Sequence, residues 1–128
     1  MKVETTIQLC GYDVRIRYCA AAETGFEQIS GKSSEIFMPS IEDGDLKQKA
    51  TLDDYLKLAI AAIIAAYSAD NSTPPMNAED VLYEASPDEV VALIGEVAEL
   101  RNEWYGIPKV IKEEPGSITD EEKQGKNA

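Results

Sequence analysis

Three groups of residues in this chain have types and spacings that invite a chemical reading. Gly31-Lys32-Ser33 has the ending of a phosphate-binding loop. Such a loop needs four residues between its glycines, and Gly25 and Gly31 have five between them. It also needs a strand before it and a helix after it, whereas these glycines bracket a short helical pattern and an irregular connection follows. The acidic pairs Asp53-Asp54, Glu79-Asp80 and Asp88-Glu89 could hold a metal or move protons. Each falls at a helix start, where capping and the helix dipole favour carboxylates. Glu42-Asp43-Gly44-Asp45 has a calcium-like look but lacks the alternating ligands and closing Glu of an EF-hand loop. The 128 residues include no histidine, so serine and threonine hydroxyls lack their usual base. No catalytic, metal or cofactor residue is assigned, and the expectation is a binding protein rather than an enzyme.

The charge distribution narrows the partners. Residues 1–34 carry four acids and four bases, and residues 109–128 carry five and four. Residues 35–108 carry fifteen and four, an excess of eleven negative charges, within a net charge of -12. Such a surface repels phosphate backbones and anionic lipid, so neither nucleic acid nor membrane is expected as a partner. It suits a basic protein partner, and it serves solubility equally well. Met1-Lys2 leads into alternating residues rather than an apolar run with a cleavage site. The apolar stretch Leu58 to Tyr67 is shorter than the roughly 20 residues that span a bilayer. A cytoplasmic protein is expected.

The elements that must position these residues follow from periodicity and punctuation. Residues 3–19 alternate as a β-hairpin, with Gly11-Tyr12 as its two-residue turn. That register pairs Leu9 with Val14, Ile7 with Ile16 and Thr5 with Tyr18 on one face, and Gln8 with Arg15 and Thr6 with Arg17 on the other. It places Cys10 beside the turn and Cys19 opposite Glu4, six rows or roughly 20 Å away, so the two thiols stay free. A helix over about 20–30 ends at Gly31. Residues 33–50 read as an irregular connection whose Ile36, Phe37 and Met38 dock on the core.

Thr51 with Asp54 opens a main helix over about 52–68, apolar on every side from Leu58 to Tyr67 and therefore surrounded. The hairpin's Ile7, Leu9, Val14 and Ile16 are expected to cover it around Ile60, Ile63 and Ile64. Asn77 with Asp80 begins a helix over about 77–85. Ser86-Pro87-Asp88-Glu89 starts the last helix, about 87–105, with cap, proline at the first position and an acid at the third. Its core stripe is Val90, Leu93, Val97, Leu100 and Trp104, and Gly106 and Pro108 stop it. Tyr105 falls off that stripe and is followed by Ile107, Val110 and Ile111 where the ordered fold should end. This apolar exit either docks back on the domain or forms a partner site. The expected fold is α+β, a single domain over 1–112 made of a hairpin packed on about four helices. Residues 113–128 form a charged tail read as disordered.

This order of parts resembles tail assembly chaperones of tailed bacteriophages and related prophages. The likeness rests on the N-terminal hairpin, on Gly25-Phe-Glu-Gln-Ile-Ser-Gly-Lys-Ser33, on the alanine- and isoleucine-rich helix, and on Leu100-Arg-Asn-Glu-Trp-Tyr-Gly-Ile-Pro108 before a charged tail. It covers most of residues 3–112. The resemblance implies a non-enzymatic protein of the host cytoplasm that keeps the tape measure protein soluble, helps recruit tail tube subunits, and is absent from the finished particle. A homo-oligomer is left open. The rival classes are a structural virion component, such as a tail or head-tail connector subunit, and an acidic DNA mimic, which Arg15 and Arg17 would interrupt.

Overall fold

The computed structural model describes residues 1–107 and shows an α+β fold. Expectations that rest on Pro108 onward, including the domain end near 112 and the tail 113–128, lie outside the described residues. Strands β1 (Val3–Leu9) and β2 (Tyr12–Tyr18) form an antiparallel hairpin. The helices are α1 (Ala20–Ser30), α2 (Leu52–Ser68), α3 (Val81–Glu84) and α4 (Pro87–Trp104). No described helix is long and apolar enough to cross a membrane.

The first hairpin's register differs from expectation by two residues. Leu9 pairs with Tyr12, Ile7 with Val14, Thr5 with Ile16 and Val3 with Tyr18. The turn is Cys10-Gly11, with φ of 54° and 86°, the positive pair that a type I′ turn requires. A slip of two leaves every side chain on its original face, so the apolar pattern tolerates both registers. The observed one brings the Glu4 carboxylate within 3.1 Å of the Arg15 guanidinium across the strands, and releases Cys19 from the sheet to stand as the N-cap of α1. Both cysteines are free thiols.

α2 is the axis of the core. Leu58, Ile60 and Ile63 are fully buried together with Leu9, Val14, Ile16 and Tyr18 of the hairpin, Phe26 of α1, and Leu93 and Val97 of α4. α1 lies close along α2 because Gly25 faces Ala61: a Cβ at Gly25 would come within 3.2 Å of the Ala61 Cβ. The glycine that suggested a phosphate loop is therefore a packing residue. Thr51 and Asp54 form a complete capping box at the start of α2, and Lys32 reaches the same carboxylate at 3.0 Å. Ser86 and Glu89 form the second box, with Pro87 at the first position of α4.

Ile64 is not core. It is 44% exposed, on the side of α2 that also leaves Ser68, four residues on, exposed. The 77–85 region is shorter than expected: Asn77 caps a 3-10 turn, Ala78–Asp80, by accepting from the Glu79 N–H, and α3 follows for one turn. The connection after α1 is more ordered than expected. It holds a 3-10 turn, Ser34–Phe37, and then a second antiparallel hairpin, β3 (Ser40–Glu42) with β4 (Asp45–Lys47), turning on Asp43-Gly44. Of its apolar set only Phe37 is buried. Ile36 is partly buried, and Met38 stands half-exposed.

Candidate partner-binding site

The C-terminal end of α4 brings together the residues that could meet a partner. α4 stops in a Schellman motif: the Ile107 N–H donates to the Asn102 carbonyl at 2.9 Å, and the Gly106 N–H to the Glu103 carbonyl at 3.1 Å. Gly106, at φ 70°, reverses the chain there. That reversal fixes Tyr105 and Ile107 at the exit, 47% and 42% exposed. Val110 and Ile111, the other two residues expected there, lie outside the described residues.

Tyr105 is tied down by its polar end. Its hydroxyl donates to Glu23 Oε2 on α1, the same oxygen that receives the Tyr18 hydroxyl at 2.7 Å. Burial, then the hydrogen bond to Glu23 and its negative charge, push the Tyr105 hydroxyl's pKa up, and the nearby Arg101 opposes them. The hydroxyl therefore remains a proton donor throughout the neutral range. Tyr18 is shifted in the same direction, first by burial and then by Glu23. The exit thus docks back on the domain through one hydroxyl while leaving much of its apolar surface open.

Arg101 is the part that sequence reasoning missed. It is buried, with its guanidinium 4.7 Å from the Tyr105 ring centre and 6.0 Å from that of Phe37, within the range of cation–π attraction. Its Nη2 donates to the Met38 sulfur at 3.1 Å. Phe37 in turn stacks edge-on against Phe26 and Tyr55, at 4.8 Å and 4.9 Å. The sequence did carry a signal. Arg101 stands four residues after Val97 and three before Trp104, which places it on the buried side of α4; its charge hid that position. The result is a pair of half-exposed side chains, Met38 and Tyr105, on a buried cation at the end of an acidic helix, with half-exposed Ile107 two residues beyond Tyr105. Methionine and tyrosine side chains adapt to irregular apolar partners.

The other residues singled out for chemistry have structural work. Asp54 and Glu89 cap helices, and Asp53 pairs with Lys57 at 3.0 Å. Lys32, which stood where a phosphate-loop lysine would, pairs with Asp54. Arg15, on the outer face of the hairpin, is bound to Glu4 at 3.1 Å and Asp70 at 2.7 Å and lies over the Tyr67 ring. Among the described residues no group of three or more His, Cys, Asp or Glu is placed to hold a metal.

The chain matches no family model, no curated protein and no solved structure. A functional reading therefore rests on the residues and on the order of parts.

Proposed function

We propose that this chain is a non-enzymatic tail assembly chaperone of a tailed phage or prophage, binding the tape measure protein, the tail tube protein or both during morphogenesis in the host cytoplasm. The resemblance in layout over most of residues 3–112 motivates the reading. The observation that carries it physically is the half-exposed apolar surface at the exit of α4: Met38 and Tyr105, anchored by Arg101 and Glu23, and Ile107 just beyond them. A protein that keeps an apolar client soluble needs open apolar surface on a strongly charged body, and this chain combines the two.

The client-binding test uses co-expression with the neighbouring tail genes and capture of this chain. The tape measure or tail tube protein should be retained, and Ile107→Ser, at a half-exposed position, should weaken capture while the melting curve stays nearly unchanged. Capture indifferent to that substitution would remove this exit from the contact. Mass spectrometry of purified particles separates the two classes: a chaperone is absent, whereas stoichiometric presence would make the chain a virion subunit.

A further inference from the structure

The β3–β4 hairpin is the most exposed part of the described fold. Ile41 and Leu46 sit opposite each other in the register, share a face, and are 74% and 70% exposed. No other described element packs extensively against this hairpin. A free two-stranded hairpin is marginal by itself, and three or more strands with an apolar face are the usual minimum for stability. Its unpaired edges are templates for a further strand.

The two edges differ. β3 is preceded by Pro39, which has no N–H to give, and pairing Ser40-Ile41-Glu42 with itself would set Ser40 against Glu42. β4 reads Asp45-Leu46-Lys47, which is complementary to its own reverse. Paired antiparallel about Leu46 with a second copy, it places Asp45 of each chain opposite Lys47 of the other. The hydrogen-bond pattern agrees with that register. Glu42 and Asp45 flank the two-residue turn and bond to each other, and rows alternate along an antiparallel pair. The N–H and C=O of Leu46 therefore point away from β3, to the free edge. Two copies meeting there exchange two Leu46–Leu46 hydrogen bonds. The Asp45–Lys47 pairs fall in the neighbouring rows without hydrogen bonds, where side chains approach most closely.

We propose that β4 is a self-association edge, and that two copies of this chain join there into one antiparallel sheet in the order β3-β4-β4-β3. Ile41, Leu46, Leu46 and Ile41 then form a continuous apolar row on one face. The contact is isologous, the same patch on both subunits, and it closes at two. It is smaller than the roughly 1,000 Å² of stable complexes, so association is weak and concentration-dependent. The inference goes beyond the tail-assembly reading and does not depend on it.

Sedimentation equilibrium of the full chain, from about 10 μM to about 1 mM, tests it. The average mass should climb from 14.0 kDa towards twice that value. Asp45→Lys alone and Lys47→Asp alone each set like charges opposite each other twice, and each should weaken association by about tenfold or more. An equimolar mixture of the two variants restores opposite charges in every row and should associate again. Melting curves matching the unsubstituted chain confirm that both variants fold. The proposal is overturned by a mass that stays at one copy, which would leave the edge for a strand of another protein. Association indifferent to both substitutions, or a mixture that fails to restore it, also overturns it.

Discussion

β1–β2 and β3–β4 both turn on two residues at positive φ, Cys10-Gly11 at 54° and 86° and Asp43-Gly44 at 53° and 79°. Their surroundings are opposite. The first hairpin lays Leu9, Val14, Ile16 and Tyr18 into the core, and its turn is held by Glu89, which accepts the Cys10 N–H at 2.9 Å. Its free edge is capped too, since the Arg15 N–H donates to the Tyr67 hydroxyl at 3.0 Å. The second hairpin has the same turn and the same alternation, but its apolar pair points into water. Turn chemistry and strand pattern make a hairpin; only the neighbouring elements decide whether it belongs to the core or to a surface.

Matched substitutions break or sharpen that contrast. Leu9→Ala should cost about 2–5 kcal/mol of stability, because it empties a fully buried site. Leu46→Ala should stay within about 0.5 kcal/mol. Denaturant midpoints measure both, and equal costs would erase the distinction. Along α2 the same experiment separates Ile63→Ala, a core loss of similar size to Leu9→Ala, from Ile64→Ala, which lies on the exposed side.

Tyr67→Phe should cost about 1 kcal/mol, the price of leaving the β2 edge N–H without its acceptor. Thermal melts check it. Acid should act at the two capped helix starts. The Thr51 N–H and the Lys32 ammonium outweigh the upward push of burial on Asp54, and its carboxyl stays below the usual range. The Ser86 and Cys10 N–H groups hold Glu89 low as well. A carboxyl depressed in the folded state stabilises above its unfolded pKa, about 4, and that contribution is lost as pH falls through the folded value. The melting temperature should therefore drop below about pH 4, and it should drop less for Asp54→Asn with Glu89→Gln. An equally steep drop in that variant would assign the acid sensitivity elsewhere.

The smallest expected effect is at the turns. Cys10→Asn puts a residue that tolerates positive φ at the first position of a type I′ turn and should add about 0.5 kcal/mol or less. Asp43→Asn makes the same kind of change in the second hairpin and should leave the global melt unmoved, because that hairpin does not share the core's unfolding.

Much of the fold was legible in the residues. Thr51 with Asp54 and Ser86 with Glu89 announce two helix starts whose capping boxes are both present, and Gly31 marks the end of α1. The register of the first hairpin was not legible, because a two-residue slip keeps Ile7, Leu9, Val14 and Ile16 on the same face. The second hairpin was hidden by its length: three-residue strands give too short an alternation to separate from a loop. Ile64 and Arg101 show the limit of composition. An all-apolar run does not say which stripe stays open, and a charge on a core stripe does not say that aromatic rings will receive it. For the candidate site, the exit residues Tyr105 and Ile107 were found from their position after the stripe. The Glu23 anchor was not, since 82 residues separate it from Tyr105.

Amide-resolved hydrogen exchange in dilute solution compares the two hairpins most directly. The Ile7 and Val14 amides, paired within the docked hairpin, should exchange only with global unfolding, at the free energy that denaturant gives. The Leu46 amide should exchange at nearly the rate of an unstructured chain. Strong protection of Leu46 at low concentration, comparable with that of Ile7, would contradict the account, because it would mean that the second hairpin's edge is already covered within a single chain.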